Sequence, residues 1–298
     1  MPSLRDYRDR IASVKSTKKI TSAMKMVAAS KLKKAQDQAE SSQPYAKAMS
    51  EMMARVAANI QLGPNSSKLL IGTGNDQTHL IIAVSSDRGL CGGFNAYVTK
   101  KTLSLIEKLE GEGKTVKLLC IGRKVRDALA REHKDKIIRS FTGLGGRTKI
   151  SFGEAQDISD YLLEEYSKGT YDVCSLAYNE FVSVLTQRPQ ASQLIPFKLP
   201  QVSNDNADQK AGPQALYSFE PNEEEILDEL LPRNISIQIY RALLDSAAGE
   251  QAARMTAMDA ATRNAGEKID DLTLQYNRAR QAYITKELIE IISGAEAL

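Results

Sequence analysis

The stretch "LLDSAAGEQAARMTAMDAATRNAGEKIDDLTLQYNRARQAY", residues 243–283, decides the fold of this chain. Stepping from Leu244 alternately by four and three passes through Ala248, Gln251, Met255, Met258, Thr262, Ala265, Ile269, Leu272, Tyr276, Ala279 and Tyr283. A 3.5-residue period sustained over this length marks a helix in a left-handed supercoil. Gly249 and Gly266 are the only breakers inside it, each costing a helix about 1 kcal/mol against Ala. Gly294 follows the last apolar turn and suits a C-cap.

The other end of the chain has the same spacing. From Leu4 the steps reach Tyr7, Ile11, Val14, Lys18, Thr21, Lys25, Ala28, Leu32, Ala35 and Ala39. The apolar phase holds to Val14, lapses from Lys18 to Lys25, and resumes at Ala28. Pro44 is the first breaker, and helical sequence resumes through "AKAMSEMMARVAANI" at residues 46–60. About 55 helical residues would reach roughly 80 Å, far beyond an ordinary globular helix. Each helix alone is compatible with bundle packing. Two of them at opposite ends of one chain favour an antiparallel coiled coil with the middle of the chain as a head.

The seam is rich in Ala, Thr, Gln and Met, where a permanent zipper carries Leu or Ile worth about 1.5–3 kcal/mol each on burial. Small side chains interlock weakly with a surrounding surface, which suits movement better than fixed docking. Lys15, Lys18, Lys19, Lys25, Lys31, Lys33 and Lys34 lie in a run free of Asp and Glu between Arg10 and Gln36. The run reads either as a solvated face or as a basic collar for acidic loops of a partner. Exposed ion pairs are worth only about 0–1 kcal/mol each, so such contacts could be made and broken repeatedly.

From about His79 the periodicity changes. "HLIIAVSS", "TVKLLCIG", "KIIRSF" and "YDVCSLAYNEF" read as strands, with helices between them over 95–110, 125–133 and 152–167. That alternation specifies an α/β domain with a largely parallel, Rossmann-like sheet. "VSVLTQRP" and "QLIPFKLP" read as late strands at an edge, and Pro232 as an early break in the C-terminal helix. The expected organisation is an N-terminal coiled-coil helix over 1–62, a linker over 63–78, the α/β domain over 79–200, a connecting segment over 201–222, and a C-terminal coiled-coil helix over 223–298.

Composition narrows the function. The 298 residues are 42% hydrophobic and 26% charged with a net charge of +3, and no apolar run is long enough to span a bilayer. The modest charge and the lack of aromatic stacking platforms argue against nucleic acid. Cys91, Cys120 and Cys174 have no metal spacing and read as thiols of a reducing compartment. "SSDRGLCGGFN", residues 85–95, lies where a doubly wound fold holds phosphate, but Gly89, Gly92 and Gly93 fit neither phosphate-loop pattern. They read as a tight turn. His79 and His133 have no ligand-spaced neighbours, and no nucleophile has an evident base. No cofactor or metal is expected. A soluble α/β nucleotide-binding enzyme and a basic amphipathic membrane-surface protein stay open as alternatives to a shaft.

"KKITSAMKMVAASKL" (18–32), "SSDRGLCGGFN" (85–95), "EQAARMTAMDAAT" (250–262) and "ITKELIEIISGA" (284–295) closely resemble, in order and across the whole chain, the γ subunit of the F-type ATP synthase. The resemblance implies an antiparallel axle inside three α and three β subunits. It also implies a foot touching the ε-type subunit and the c-subunit ring, no chemistry on γ itself, and membrane association only through the complex. It assigns Met24 to packing near the acidic catch loop of β, in cooperation with Arg254, Gln281, Thr285 and Glu290. Gln251 and Arg254 would contact β, with Lys18 and Lys19 in the same coupling surface. An antiparallel hairpin is expected to bring the last turns of the C-terminal helix alongside Met24. Tyr217, Phe219 and Glu220 in "LYSFEP" would meet the c ring, Phe219 standing where some relatives have Tyr. The chain lacks the inserted cysteine pair of the chloroplast branch, so thiol switching is not expected. The Met-initiated start without a transit peptide points to a bacterium and to the cytoplasmic face of its inner membrane; a mature mitochondrial chain would sit on the matrix side.

Overall fold

The computed structural model describes residues 3–59, 67–145, 149–197 and 223–296. Contacts divide the chain into two units, one of Met1–Ser30 with Arg254–Leu298 and one of Lys31–Ala253.

The first unit is an antiparallel helix pair, drawn from α1 (Leu4–Asn59) and α6 (Glu223–Glu296). Ser3 and Asp6 start α1 by capping each other: the Ser3 N–H donates to Asp6 Oδ2 at 2.8 Å, and the Asp6 N–H donates to Ser3 Oγ at 3.2 Å. The pairs Arg8 with Tyr276, Thr21 with Thr262, and Lys25 with Asp259 fix the antiparallel sense, one number falling as the other rises.

The second unit is built on a five-stranded sheet of β1 (Thr78–Val84), β2 (Thr115–Ile121), β3 (Ile137–Phe141), β4 (Val173–Phe181) and β5 (Gln187–Ile195), in the order β3-β2-β1-β4-β5. The first four strands are parallel neighbours, and β5 is antiparallel to β4. Alternation along the strands explains the two cores. Leu80, Ile82, Leu119 and Ile121 face Ile158 and Leu162 of α5 (Phe152–Ser167) and Ile235 and Ile239 of α6. Ile81, Ala83, Leu118 and Cys120 face Ile106 and Leu109 of α3 (Phe94–Gly111) and Val125 and Leu129 of α4 (Arg123–Leu129). A turn of helix, α2 (Lys68–Ile71), precedes β1 and receives the Tyr166 hydroxyl at the Lys68 carbonyl, 2.8 Å away. Met49 and Met53 of α1 pack on Leu231 and Ile237.

Four sequence expectations need correction. "VSVLTQRP" spans the β4–β5 turn and the first residues of β5, and Gln193 to Ile195 of "QLIPFKLP" end that same antiparallel edge strand. Neither Pro44 nor Pro232 ends its helix. Each proline costs its helix one backbone hydrogen bond to the carbonyl four residues earlier, on Glu40 and Asp228, without ending it. Helix α6 also continues through Gly294 to Glu296, so that glycine is no cap. The lapse in phase between Lys18 and Lys25 does not exist in space: Thr21 is buried, and Lys18 and Lys25 point across the seam toward α6.

Candidate functional site

The seam that the heptads define is the least exposed stripe of the helix pair. Ala28, Met258, Ala265 and Leu272 are buried, whereas from Arg280 onward every described side chain of α6 is exposed. Small residues let the backbones approach. A Cβ on Gly266 would lie 3.2 Å from Lys18 Nζ, so the lysine lies directly over the glycine. Polar contacts cross the seam as well. Arg8 donates from Nε and Nη2 to the Tyr276 hydroxyl at 3.0 and 2.8 Å, and its guanidinium also lies 5.5 Å from the ring centroid. Thr262 Oγ1 donates to Thr21 Oγ1 at 2.8 Å, and Thr21 donates onward to the Lys18 carbonyl at 3.1 Å. Lys25 Nζ meets Asp259 Oδ1 at 2.5 Å, and that hydrogen bond holds the Asp259 carboxyl below its ordinary pKa.

The outward faces of this unit carry apolar groups. Ile20, Met26 and Val27 are exposed on α1, Met26 to 65%. Ile284, Leu288, Ile289, Ile291 and Ile292 are exposed on α6, Ile291 to 71%. Of the expected basic collar, Lys33 pairs with Asp37 and Lys25 with Asp259.

Met24 is half-buried on α1, and Lys18 and Lys19 are exposed. Gln251 and Arg254 are half-buried on α6. Gln281, Thr285 and Glu290 are exposed, Thr285 Oγ1 donating to the Gln281 carbonyl at 3.0 Å and Glu290 pairing with Lys286 at 3.5 Å. The register overturns one expectation. Lys25 faces Asp259, so Met24 lies near the level of Asp259, and Thr285 is roughly 40 Å further along α6 at 1.5 Å per residue. The last turns of α6 extend past the start of α1 and are not beside Met24. Tyr217, Phe219 and Glu220 lie outside the described residues.

In the α/β unit, "SSDRGLCGGFN" closes on itself. Ser86 Oγ donates to the Arg88 carbonyl at 2.6 Å, Leu90 and Gly92 have φ of 64° and 55°, and a Cβ on Gly93 would meet the Tyr97 ring at 2.7 Å. Asp87 accepts from the Arg123 N–H at 2.9 Å and from the Gly143 N–H at 2.7 Å. A carboxylate of the chain therefore occupies the start of α4 and the loop after β3. The tight-turn reading holds. All three cysteines are buried and none forms a disulfide, and burial pushes the Cys120 thiol up to about 12. Among the described residues there is no group of side chains able to hold a metal, and no helix long and apolar enough to cross a membrane.

Reasoning from sequence missed Arg8, Asp259 and Asp87. The first two stand next to seam positions in the heptad count, and an acid one turn from a seam position opposite a seam lysine was the available signal. Asp87 had none, since its partners are backbone amides distant in sequence.

The family model for ATP synthase matches residues 3–298. The ATP synthase gamma chain of Rhodospirillum rubrum is 54% identical over 301 residues, covering 100% of both chains. The solved central stalk and c-ring of the Tetrahymena thermophila mitochondrial ATP synthase matches with a TM-score of 0.57 at 25% identity, over 81% of this chain and 99% of that one. A Euglena gracilis mitochondrial ATP synthase chain, from an assembly of OSCP, F1 and c-ring, matches with a TM-score of 0.64 at 19% identity, over 99% of this chain and 94% of that one.

Proposed function

The chain belongs to the ATP synthase family, among its gamma chains, and on that premise we propose that it is the central-stalk rotor of a proton-translocating ATP synthase. Proton flow turns a ring of c subunits, the ring turns this chain, and the chain drives three catalytic β sites, held between three α subunits, through their states. The reverse sequence runs on ATP hydrolysis. In this reading the chain supplies no catalytic residue of its own and is a non-catalytic subunit of the H+-transporting two-sector ATPase. It associates peripherally with the inner membrane through the complex, on the cytoplasmic face in a bacterium.

The observation that carries the reading is the helix pair with a seam rich in Ala, Thr, Gln and Met, whose α6 end runs on past α1 with Ile284, Leu288, Ile289, Ile291 and Ile292 exposed. A free-standing helix end of this composition is stable in water only at a cost that an enclosing apolar sleeve removes. Met24, Lys18, Lys19, Gln251 and Arg254 then form the coupling contacts to α and β on the shaft. Gln281, Thr285 and Glu290 form a separate group nearer the end of α6. Tyr217, Phe219 and Glu220 meet the c ring, and the ε-type subunit binds the α/β unit.

The decisive experiment fixes the α and β subunits to a surface, attaches a bead to the α/β unit of this chain, and supplies ATP. Stepwise rotation in one direction that stops without ATP is the expected result. Hydrolysis accompanied only by random motion of the bead would make the chain a static scaffold.

A further inference from the structure

We propose that Arg8–Tyr276, Thr21–Thr262 and Lys25–Asp259 act together as a register lock, positioning the two shaft helices so that neither slides along the other under torque. The proposal rests on the rotor reading for its purpose, but the lock itself is a property of the chain. A coiled coil usually sets its register with large interlocking knobs, and a polar residue in the seam can do the same at some cost in stability. Here much of the seam is Ala, Thr and Met, with Lys18 laid over Gly266. Shifting this seam by one heptad puts Ala265 or Ala279 opposite Ile11 in place of Leu272, so apolar packing opposes a slip only where those few large side chains meet, and the stretch from Lys18 to Ala28 is left to its polar pairs.

The polar pairs do discriminate, and the sequence shows how. Sliding α6 so that each α1 residue meets a position seven lower offers Asp259 to Lys18, but sets Thr21 against Met255 and Arg8 against Ile269. Sliding it the other way offers Tyr283 to Arg8, but sets Thr21 against Ile269 and Lys25 against Gly266. Either slip preserves one kind of contact and abolishes two. Thr21–Thr262 is lost in both slips, and Arg8–Tyr276 and Lys25–Asp259 each oppose one of them. The buried Thr21 hydroxyl loses its cross-helix partner in either slip and keeps only the bond to its own helix.

Disulfide trapping in the full chain, assembled with its α and β subunits, tests this. Ile11→Cys with Leu272→Cys reports the native register, and Ile11→Cys with Ala265→Cys or with Ala279→Cys reports the two slipped ones; none of these positions belongs to the lock. In the native background only the first pair should crosslink. With Thr21→Val, Lys25→Met and Tyr276→Phe, a slipped pair should crosslink as well, and proton pumping per ATP hydrolysed should fall. Restoring the Thr and Tyr while exchanging the ion pair (Lys25→Asp with Asp259→Lys) should return both readouts to native. Should the triple variant fail to assemble, Thr21→Val alone, which removes the pair lost in both slips, is read with the same cysteines. Crosslinking confined to Ile11 and Leu272 in the unlocked variant overturns the lock, and slipped crosslinks with undiminished pumping overturn its role in coupling. The crosslinks report register whether or not the chain turns, so a native complex that fails to rotate would count against the rotor reading alone.

Discussion

Asp87 accepts the Gly143 N–H at 2.7 Å, and its other oxygen accepts the Arg123 N–H at 2.9 Å. One carboxylate thus ties the loop after β1 to the start of α4 and to the loop after β3. Replacing it by Ala leaves backbone donors without a charged acceptor at the end of the sheet, a loss of about 1–3 kcal/mol. Asp87→Ala should lower the urea midpoint accordingly, and calorimetric titration with ATP should show no binding in either protein. Nucleotide binding by the native chain would contradict the account of this loop.

Two glycines inside α6, Gly249 and Gly266, should respond in opposite directions to Ala. A Cβ on Gly249 lies 3.0 Å from Phe94 Cε2 and 3.3 Å from Gln187 Cγ, and Phe94 is buried and cannot withdraw. A Cβ on Gly266 meets only the terminal atoms of Lys18, which can swing into water. Gly266→Ala should therefore gain most of the roughly 1 kcal/mol of helix propensity, whereas Gly249→Ala should lose stability through overpacking by about 1–3 kcal/mol. Paired urea melts followed by circular dichroism distinguish the two.

Those glycines also show what the sequence could and could not disclose. Heptad spacing located the seam from Leu4 to Ala39 and from Leu244 to Ala279, because burial of a helix stripe repeats every few residues. It could not locate the pairing of the stripes, since register depends on which residue of α1 meets which of α6. For that reason Met24 was expected beside Gln281, Thr285 and Glu290, and the lysines at Lys18 and Lys25 looked like a gap. The parallel strands were legible as continuous apolar runs, such as Leu80 to Val84. The hairpin that turns β4 into β5 was not, since Val182 and Leu185 are apolar yet lie exposed in a turn. Pro44 and Pro232 misled because the loss of one backbone hydrogen bond costs a long helix stability without having to end it.

Asp245 should make the chain more stable in mild acid. Burial raises its carboxyl pKa from 3.8 to about 6, with Glu180 adding to the rise and Arg241 opposing it. A carboxyl whose folded pKa is raised contributes stability below its ordinary value and loses it as pH rises through about 6. Asp245→Asn should therefore raise the melting temperature near neutral pH and leave it almost unchanged at about pH 4. A substitution equally stabilising at both pH values would remove the titration of Asp245 as the cause.

Asp172 supplies the opposite slope. The Thr78 N–H, at 2.9 Å, is the main cause of its lowered pKa, with further bonds from Thr73 Oγ1 at 2.8 Å and the Gln77 N–H at 3.2 Å. Its contribution is present above the ordinary carboxylate pKa and disappears as pH falls through the depressed one. Asp172→Asn should destabilise at neutral pH, and the difference from the native chain should shrink in acid as the native carboxyl takes up its proton. Melting curves across that range, with Asp245→Asn as the background to remove the opposing group, read the slope directly.

The exposed end of α6 separates folding from assembly. Leu288 and Ile291 are 55% and 71% exposed, so lysine at either position removes almost no burial from the isolated chain. Substitutions of that kind usually change stability by no more than about 0.5 kcal/mol. Leu288→Lys with Ile291→Lys should leave the melting curve of the isolated chain where it was. In the complex the same lysines would have to enter an apolar enclosure, and burying an unpaired charge there is strongly unfavourable. Reconstitution with α and β should therefore fall in yield or in coupled turnover. An unfolded isolated variant would mean that these side chains hold α6 together on their own, and unchanged reconstitution would mean that no apolar surface closes around this end of the helix.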